Sequence, residues 1–278
     1  MKHIFDNVSK KCSKITTQSY STSFSFGIKA LDKKHHDPIY GIYGFVRLAD
    51  EIVDTFHDYD KLELFYKFKK DTIEAINKKI SLNPILNHFQ EVVNYYEIDW
   101  NLINTFLNSM EMDLKDQVYD KEKYQEYILG SAEVVGLMCL KIFVNGNSEK
   151  YNNLKPFAMK LGSAFQKVNF LRDVNDDFKK LGRTYFPNVD MNNFNEIEKK
   201  KIENEIENEF KEALIGIKRL PFSSRGGVYL AYRYYYNLFV KIKNTSPRKI
   251  LETRIRIPNF NKIGLMLKSM VRNQCNLL

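Results

Sequence analysis

The sequence predicts an all-α helical bundle, formed by a single domain over residues 1–278. Apolar residues recur at helical spacing through most of the chain, and no stretch alternates apolar and polar residues as a strand would. Glycine (12) and proline (7) are few, which disfavours a turn-rich β architecture. The hydrophobic content of 44% is enough for one sizeable core at this length, and no low-complexity linker divides the chain.

The first half of the chain contains four predicted helices with recognisable start signals. Pro38 lies near the start of the first, Asn83-Pro84 starts the third, and Asp99 starts the fourth. The second is a Lys-rich amphipathic segment. These helices cover residues 38–59, 60–80, 83–95 and 99–118.

The second half is predicted from longer apolar segments. Two long helices, over 122–144 and 151–179, are joined by the turn signal NGNSEK. Residues 194–219 mix Glu, Lys and Asn between regularly spaced apolar residues, which indicates a solvated outer helix. SSRGG (223–227) predicts a turn, and a Tyr-rich helix follows over 228–244. The basic, apolar tail from Arg254 predicts a closing helix, with membrane-surface contact as the alternative.

Charge and cysteine usage narrow the class of protein. The formal net charge of +9 suits anionic partners such as diphosphates, acidic lipids or nucleic acid, but a Lys-rich surface alone would also produce it. The three cysteines are far apart with no CxxC pair, and the histidines show no HExxH spacing, so no zinc site or disulfide framework is indicated. A reduced cytosolic compartment fits this usage. No apolar stretch is long enough to predict a transmembrane helix.

One stripe of polar side chains lies on the first predicted helix. At 100° per residue, Tyr43, Arg47, Asp50 and Asp54 share an arc of about 60°, with apolar residues on the other side. Glu51 lies about 100° from Asp50 and is placed outside this stripe. Carboxylates four residues apart repel each other unless a cation lies between them. A surface helix would show the same pattern, so this stripe alone does not establish a site.

A second stripe lies in the helix over 151–179. Gln166, Asn169, Asp173 and Asp177 share an arc of about 80°, flanked by aromatic and aliphatic side chains. Asn is disfavoured in the middle of a helix without a role, so this stripe is the more specific of the two. Oxygen ligands of this kind suit Mg²⁺, which is often held by one or two carboxylates together with substrate phosphates. Two facing stripes, with Arg47, Arg172 and Arg183 adding positive charge, would bind a diphosphate through such ions.

The sequence resembles the squalene/phytoene synthase family over nearly its whole length. NFLRDVNDDFKKLGRTYFP (169–187) looks like the second aspartate-rich motif of that family and YGFVRLADEIVD (43–54) looks like the first. YSTSFSFGIKAL (20–31) resembles the HSxSF segment near the N-terminus, with Tyr20 in place of His. YILGSAEVVGLM (127–138) and RIRIPNFNKIGL (254–265) resemble the small-residue helix and the basic C-terminal segment.

The resemblance implies an isoprenoid-synthase bundle with a central cavity and a magnesium cluster (Mn²⁺ is the alternative metal). It implies that the metals are held by Asp50, Asp54, Asn169, Asp173 and Asp177. The residues implied to contact substrate diphosphate are Tyr20, Ser21, Ser23, Phe24, Arg47, Gln166, Arg172 and Arg183. Those implied to act in catalysis are Tyr43, Arg47, Tyr127, Arg172 and Tyr235, and Asp113 matches a further family acid near the metals. Small residues at 130–132 and 136 fit either close helix packing or room for a prenyl chain.

The function that this resemblance implies is magnesium-dependent, head-to-head condensation of two geranylgeranyl diphosphates to phytoene, in carotenoid biosynthesis and without NADPH. The alternative is squalene or dehydrosqualene synthesis from two farnesyl diphosphates. The expected location is the cytoplasm, either free or in peripheral contact with the inner face of the membrane. A basic helical protein that binds nucleic acid or a membrane surface is the non-enzyme alternative. It does not explain two matched acidic stripes, so no nucleic-acid partner is expected.

Overall fold

The computed structural model describes residues 1–115, 119–181, 185–187, 189 and 194–256, without the side chains of 176–181. Within these ranges there are twelve α-helices and no strand, which confirms the all-α prediction. The helices are α1 Lys2–Tyr20, α2 Thr22–Lys29, α3 Lys33–Asp54, α4 Lys61–Lys78, α5 Pro84–Tyr96, α6 Trp100–Met112, α7 Lys121–Ile128, α8 Val134–Phe143, α9 Ser148–Leu181, α10 Glu196–Arg219, α11 Phe222–Lys243 and α12 Pro247–Glu252. A π-helical segment, Leu129–Glu133, joins α7 to α8.

Several helices begin where the sequence places a capping side chain. Asn83 accepts hydrogen bonds from the Ile85 and Leu86 amides, with Pro84 in the first turn of α5. The Asp60 and Asp99 carboxylates cap α4 and α6 in the same way. Each such cap stabilises its helix by about 1 kcal/mol because it satisfies an otherwise unpaired amide.

The helix that contains the first polar stripe differs from its predicted bounds. The predicted helix was 38–59, whereas α3 begins at Lys33 and ends at Asp54. Asp32 supplies the reason for the earlier start, since its carboxylate accepts a hydrogen bond from the Lys34 amide. The apolar pattern thus identified the helix but not its ends.

The turn predicted at 223–227 is wrong, because these residues form the first turns of α11. A Cβ on Gly227 would lie 2.6 Å from the Gly27 carbonyl oxygen and 2.4 Å from Leu31 Cδ2. Gly227 therefore allows close packing of α11 on α2 and does not serve a turn. The turn at NGNSEK is confirmed between α8 and α9, where Asn145 and Gly146 adopt positive φ values of 50° and 72°.

Among the described residues, two large apolar clusters and a smaller one around Leu137 and Leu154 form the core. One large cluster centres on α3, α5 and α6, where the Phe45 ring stacks on Phe89 with centroids 3.8 Å apart. The other large cluster centres on α9, α10 and α11, around the buried ring of Phe210. Residues from both large clusters line one cavity, so both halves of the bundle contribute to its wall.

Candidate active site

The cavity between the two large clusters has a mostly apolar wall. Its polar region consists of Asp50, Gln166 and Asn169. The cavity encloses about 1360 Å³, counting its open mouth. Asp50 from α3 and Gln166 and Asn169 from α9 all line it, which brings together residues of the two predicted stripes. The apolar wall is contributed by α2, α3, α8, α9, α10 and α11, and includes Ile28, Val46, Val135, Leu161, Ile217 and Val228.

The α3 stripe is arranged as its spacing predicts. Tyr43 and Asp50 both line the cavity, and Asp54 lies one turn beyond Asp50 at an exposed position. Burial, together with the nearby charges of Asp54 and Asp113 and against the opposing effect of Arg47, raises the pKa of Asp50 to about 7. The ionised carboxylate at this place is therefore costly without a cation.

Arg47 contacts side chains from two helices. Its Nη2 donates to the Glu51 carboxylate, and its Nη1 lies 3.9 Å from Asp50 Oδ2. The Tyr20 ring at the end of α1 covers the guanidinium, with Cζ 4.3 Å from the ring centroid. Glu51 was placed outside the site by its angle on the helix, but its carboxylate is the direct partner of Arg47.

Two residues of the α9 stripe, Gln166 and Asn169, line the cavity. Asn169 Nδ2 donates to Gln166 Oε1 over 3.3 Å. Asn169 Oδ1 is buried, and no residue of the described ranges forms a hydrogen bond with it. A buried acceptor without a partner costs about 1–3 kcal/mol, so this atom suits a cation or a donor that enters the cavity.

Asp173 continues this stripe and is paired with two arginines. Its carboxylate accepts from Arg172 Nε at 2.9 Å and from Arg172 Nη2 at 2.5 Å. Arg254, from the segment after α12, places its Nε 2.8 Å from Asp173 Oδ1. The Arg172 guanidinium also interacts electrostatically with Tyr235, a cavity-lining residue. Positive charge is thus already concentrated beside the α9 stripe.

Aromatic rings lie next to the polar region. Tyr43 and Phe24 have ring centroids 4.5 Å apart, and Tyr235 stacks on Phe165 at 3.9 Å. All four residues line the cavity. Ser21 caps α2 by accepting a hydrogen bond from the Phe24 amide, and Ser23 lies in the first turn of the same helix. The predicted segment at 20–24 therefore lies at the start of a helix that forms part of the cavity wall.

Tyr127 has a different environment from the other predicted tyrosines. It is buried among Tyr119, Phe170 and Tyr185, and its hydroxyl donates to Asp113 Oδ2 over 2.8 Å. Asp113 in turn acts electrostatically on Asp50. Tyr127 is thus connected to the α3 stripe through Asp113.

Of the small residues in and near the π-helical segment, one serves close helix packing and the others line the cavity. A Cβ on Gly130 would lie 2.5 Å from Ser109 Cβ, so Gly130 serves packing against α6. Ser131, Ala132 and Gly136 line the cavity, where larger side chains would occupy its volume.

Two predicted site residues lie outside the described part of the chain, namely Arg183 and the side chain of Asp177. Among the side chains that are described, no group of three or more His, Cys, Asp or Glu residues has the arrangement of a metal site. The residues around the cavity nevertheless fit a divalent cation, because the ionisation of Asp50 is disfavoured and Asn169 Oδ1 has an unused lone pair.

Arg254 and Glu51 were not predicted as site residues. Arg254 belongs to the basic segment that begins with RIRIP, so the composition of that segment was the available signal. Glu51 precedes Asp54 in the same motif, and its spacing of four from Arg47 was the signal for an ion pair.

Comparison with known proteins identifies the same family that the sequence motifs resemble. A family model described as squalene/phytoene synthase matches residues 17–261. The chain is 25% identical over 184 residues to 4,4'-diapophytoene synthase of Staphylococcus haemolyticus (strain JCSC1435), a match that spans 64% of this chain and 62% of that protein. It is 26% identical over 216 residues to phytoene synthase of Arthrospira platensis, over 73% and 68% of the two chains. A crystal structure of a dehydrosqualene synthase with ligand superposes with a TM-score of 0.80 at 18% identity, over 98% of this chain and 99% of that one.

Proposed function

Because this chain belongs to the squalene/phytoene synthase family, we propose that it joins two prenyl diphosphates head to head. The observation that carries this proposal is the position of Asp50 and Asn169, which reach one cavity from two different helices. The wall of that cavity combines these polar groups with mostly apolar side chains, as a substrate with a diphosphate and a hydrocarbon chain requires.

The polar region is suited to binding diphosphate together with Mg²⁺. The residues that would hold the metal are Asp50, Asp54, Asn169, Asp173 and Asp177. Bound Mg²⁺ would supply charge neutralisation for the diphosphate as it leaves. Arg47 and Arg172 supply fixed positive charge beside the same oxygens, and Gln166 offers a hydrogen-bonding amide.

The chemistry begins when the C1–O bond of one substrate breaks, which releases its diphosphate and leaves an allylic cation. The double bond of the second substrate attacks that carbon, and loss of a proton closes a cyclopropane to give a cyclopropylcarbinyl diphosphate. A second ionisation releases the remaining diphosphate, and the resulting cation rearranges and loses a proton to give the linear product. Tyr43, Phe165 and Tyr235 present aromatic rings beside the polar region, and cation–π attraction there is worth up to about 2 kcal/mol when the ring is desolvated.

The proposed substrate is geranylgeranyl diphosphate, with phytoene as the product and no requirement for NADPH. Dehydrosqualene synthesis from farnesyl diphosphate is the second candidate, favoured by the match to a 4,4'-diapophytoene synthase. Squalene synthesis differs from it by a reduction step.

Product analysis distinguishes these candidates. Purified protein is incubated with Mg²⁺ and either farnesyl or geranylgeranyl diphosphate, with and without NADPH, and the hydrocarbon is identified by mass spectrometry. A forty-carbon product from geranylgeranyl diphosphate alone supports the proposal. Dehydrosqualene or NADPH-dependent squalene supports the corresponding alternative, and no condensed product under any condition contradicts head-to-head synthesis.

Peripheral membrane contact is a further part of the proposal, because the substrates and product are lipophilic. No helix in the described ranges is both long and apolar enough to span a bilayer. On α1, however, Ile4, Val8 and Ile15 are 55%, 46% and 62% exposed, and the helical spacing places them within an arc of about 40°. The exposed lysines Lys11 and Lys14 accompany them, which suits an anionic bilayer surface. We propose a cytoplasmic protein that contacts such a surface through α1.

A further inference from the structure

We propose that Tyr20 and Glu51 are positioning residues that together hold the guanidinium of Arg47 in one orientation at the polar region of the cavity. This inference rests on the proposed function, in which Arg47 acts on diphosphate. Neither Tyr20 nor Glu51 needs to touch the reacting atoms, because both act through Arg47.

The three side chains form one connected network. Arg47 Nη2 donates to the Glu51 carboxylate, one helical turn further along α3. The Tyr20 ring, from the end of α1, lies against the guanidinium with a separation of 4.3 Å from Cζ to the ring centroid. Tyr20 and Glu51 therefore meet at the Arg47 guanidinium, which each of them contacts.

This network controls which carboxylate Arg47 meets. Asp50 and Glu51 lie three and four residues after Arg47, so both are within reach of its side chain. In the structure Glu51 accepts the hydrogen bond, whereas Asp50 Oδ2 remains 3.9 Å from Nη1. Glu51 thus keeps Arg47 from closing onto Asp50, and the Asp50 oxygens remain available to the cavity that they face.

Tyr20 restricts the guanidinium from a second direction. An arginine side chain carries considerable rotamer freedom, and a planar stack on an aromatic ring removes part of it before any ligand binds. Tyr20 is 52% exposed as a whole residue, so its ring contributes little to the core. By contrast, the Arg47 and Glu51 side chains are only 29% and 15% exposed, unlike a freely solvated surface pair.

The test measures binding of inorganic pyrophosphate in the presence of Mg²⁺ by calorimetry, in a double-mutant cycle on the full chain. The variants are Tyr20→Leu, Glu51→Gln, Arg47→Gln and the two double variants that contain Arg47→Gln. Tyr20→Leu and Glu51→Gln are each expected to weaken binding by about threefold to tenfold in the wild-type background. In the Arg47→Gln background, each is expected to change binding by less than about twofold, because the residue through which it acts is absent.

Two controls separate positioning from a general structural role. Tyr20→Phe keeps the ring and is expected to bind pyrophosphate within about twofold of wild type, whereas Tyr20→Leu is not. Tyr95, which is 75% exposed on α5, provides the matched variant Tyr95→Leu, for which unchanged binding is expected. Melting temperatures of all variants are measured in parallel, and unchanged values are expected for Tyr20→Leu.

The outcomes distinguish this inference from the proposed function. Two outcomes would show that the positioning role is wrong while the proposed function stands, provided that wild type binds pyrophosphate with Mg²⁺. In one, Tyr20→Leu and Glu51→Gln weaken binding as much in the Arg47→Gln background as in the wild-type background. In the other, neither substitution weakens binding in the wild-type background. If wild type shows neither magnesium-dependent pyrophosphate binding nor condensation of prenyl diphosphates, the proposed function fails and the positioning role fails with it.

Discussion

Arg254 Nε lies 2.8 Å from Asp173 Oδ1, which joins the segment after α12 to the polar stripe of α9. Arg172 donates to the same carboxylate through Nε and Nη2. Asp173 is also one of the residues proposed to hold Mg²⁺. The two arginines would therefore compete with a bound metal ion for one carboxylate.

This competition predicts that Arg254→Gln increases the affinity of the substrate-free protein for Mg²⁺. The half-exposed ion pair contributes on the order of 1 kcal/mol or less, so we expect a gain of about threefold, measured by calorimetric titration with Mg²⁺. Arg248→Gln removes an exposed arginine paired with Glu252 and serves as the matched control. Equal affinities in wild type and Arg254→Gln would show that the Arg254 contact does not oppose metal binding.

Close packing of α11 on α2 predicts that Gly227→Ala destabilises the protein. The new Cβ would lie 2.6 Å from the Gly27 carbonyl oxygen and even closer to Leu31, so the helices must separate. We expect a loss of about 1–3 kcal/mol in the free energy of unfolding, measured by urea denaturation.

Gly27→Ala is the matched control at the same interface. Its Cβ would make only ordinary contacts, at 3.6 Å from the Gly227 carbonyl oxygen, and alanine favours a helix by up to about 1 kcal/mol over glycine. A stable Gly227→Ala variant, with a free energy of unfolding no lower than that of Gly27→Ala, would contradict the packing role assigned to Gly227.

A buried histidine predicts loss of stability in acid. His88 is 1% exposed, and burial lowers its pKa to about 4, with Lys10 lowering it and Glu91 and Asp37 opposing the change. Because the unfolded state takes up a proton near pH 6.5 and the folded state only near pH 4, stability is lost as the pH falls between these values. The full contribution is about 3 kcal/mol.

The measurement is the free energy of unfolding at several pH values for wild type and His88→Gln. The variant is expected to lose less stability than wild type between pH 6.5 and pH 4, whatever its stability at neutral pH. His57→Gln, at an exposed position between α3 and α4, is expected to show the same change in the free energy of unfolding with pH as wild type. If wild type and His88→Gln lose the same free energy of unfolding between pH 6.5 and pH 4, His88 is not the source of the acid sensitivity.

The exposed apolar stripe on α1 predicts binding to anionic vesicles. The double variant Ile4→Asp/Ile15→Asp is expected to sediment with phosphatidylglycerol-containing vesicles several-fold less than wild type, because it loses apolar burial and gains negative charge. Ile73→Asp, at a 38% exposed position on α4, is the control. Equal sedimentation of wild type and the double variant would exclude α1 as the contact surface.

The sequence was most informative about features that depend on neighbouring positions in one helix. The spacing of Tyr43 and Asp50 predicted that they share a face, and both line the cavity. The Gln166–Asn169 pair on α9 was predicted in the same way. These predictions succeeded because a helix fixes the relative direction of its own side chains.

Features that depend on contacts between distant segments were not predicted. SSRGG has the composition of a turn, but it forms the first turns of α11, where Gly227 packs closely on α2. The pairing of Arg254 with Asp173 needs the whole fold to bring two segments together. Glu51 was excluded from the predicted polar stripe because of its angular position on the helix. That angle does not take into account how far the Arg47 side chain can reach.

If the stripes of α3 and α9 act together on diphosphate, both must be intact for magnesium-dependent release of pyrophosphate from a prenyl diphosphate. Asp50→Asn and Asp173→Asn are each expected to abolish release, while Asp58→Asn, at an exposed position after α3, retains it. Because ionisation of Asp50 is disfavoured in the folded protein, Asp50→Asn is expected to melt no lower than wild type, which separates loss of activity from unfolding. Wild-type release rates in both Asp50→Asn and Asp173→Asn would show that the two stripes do not act on diphosphate.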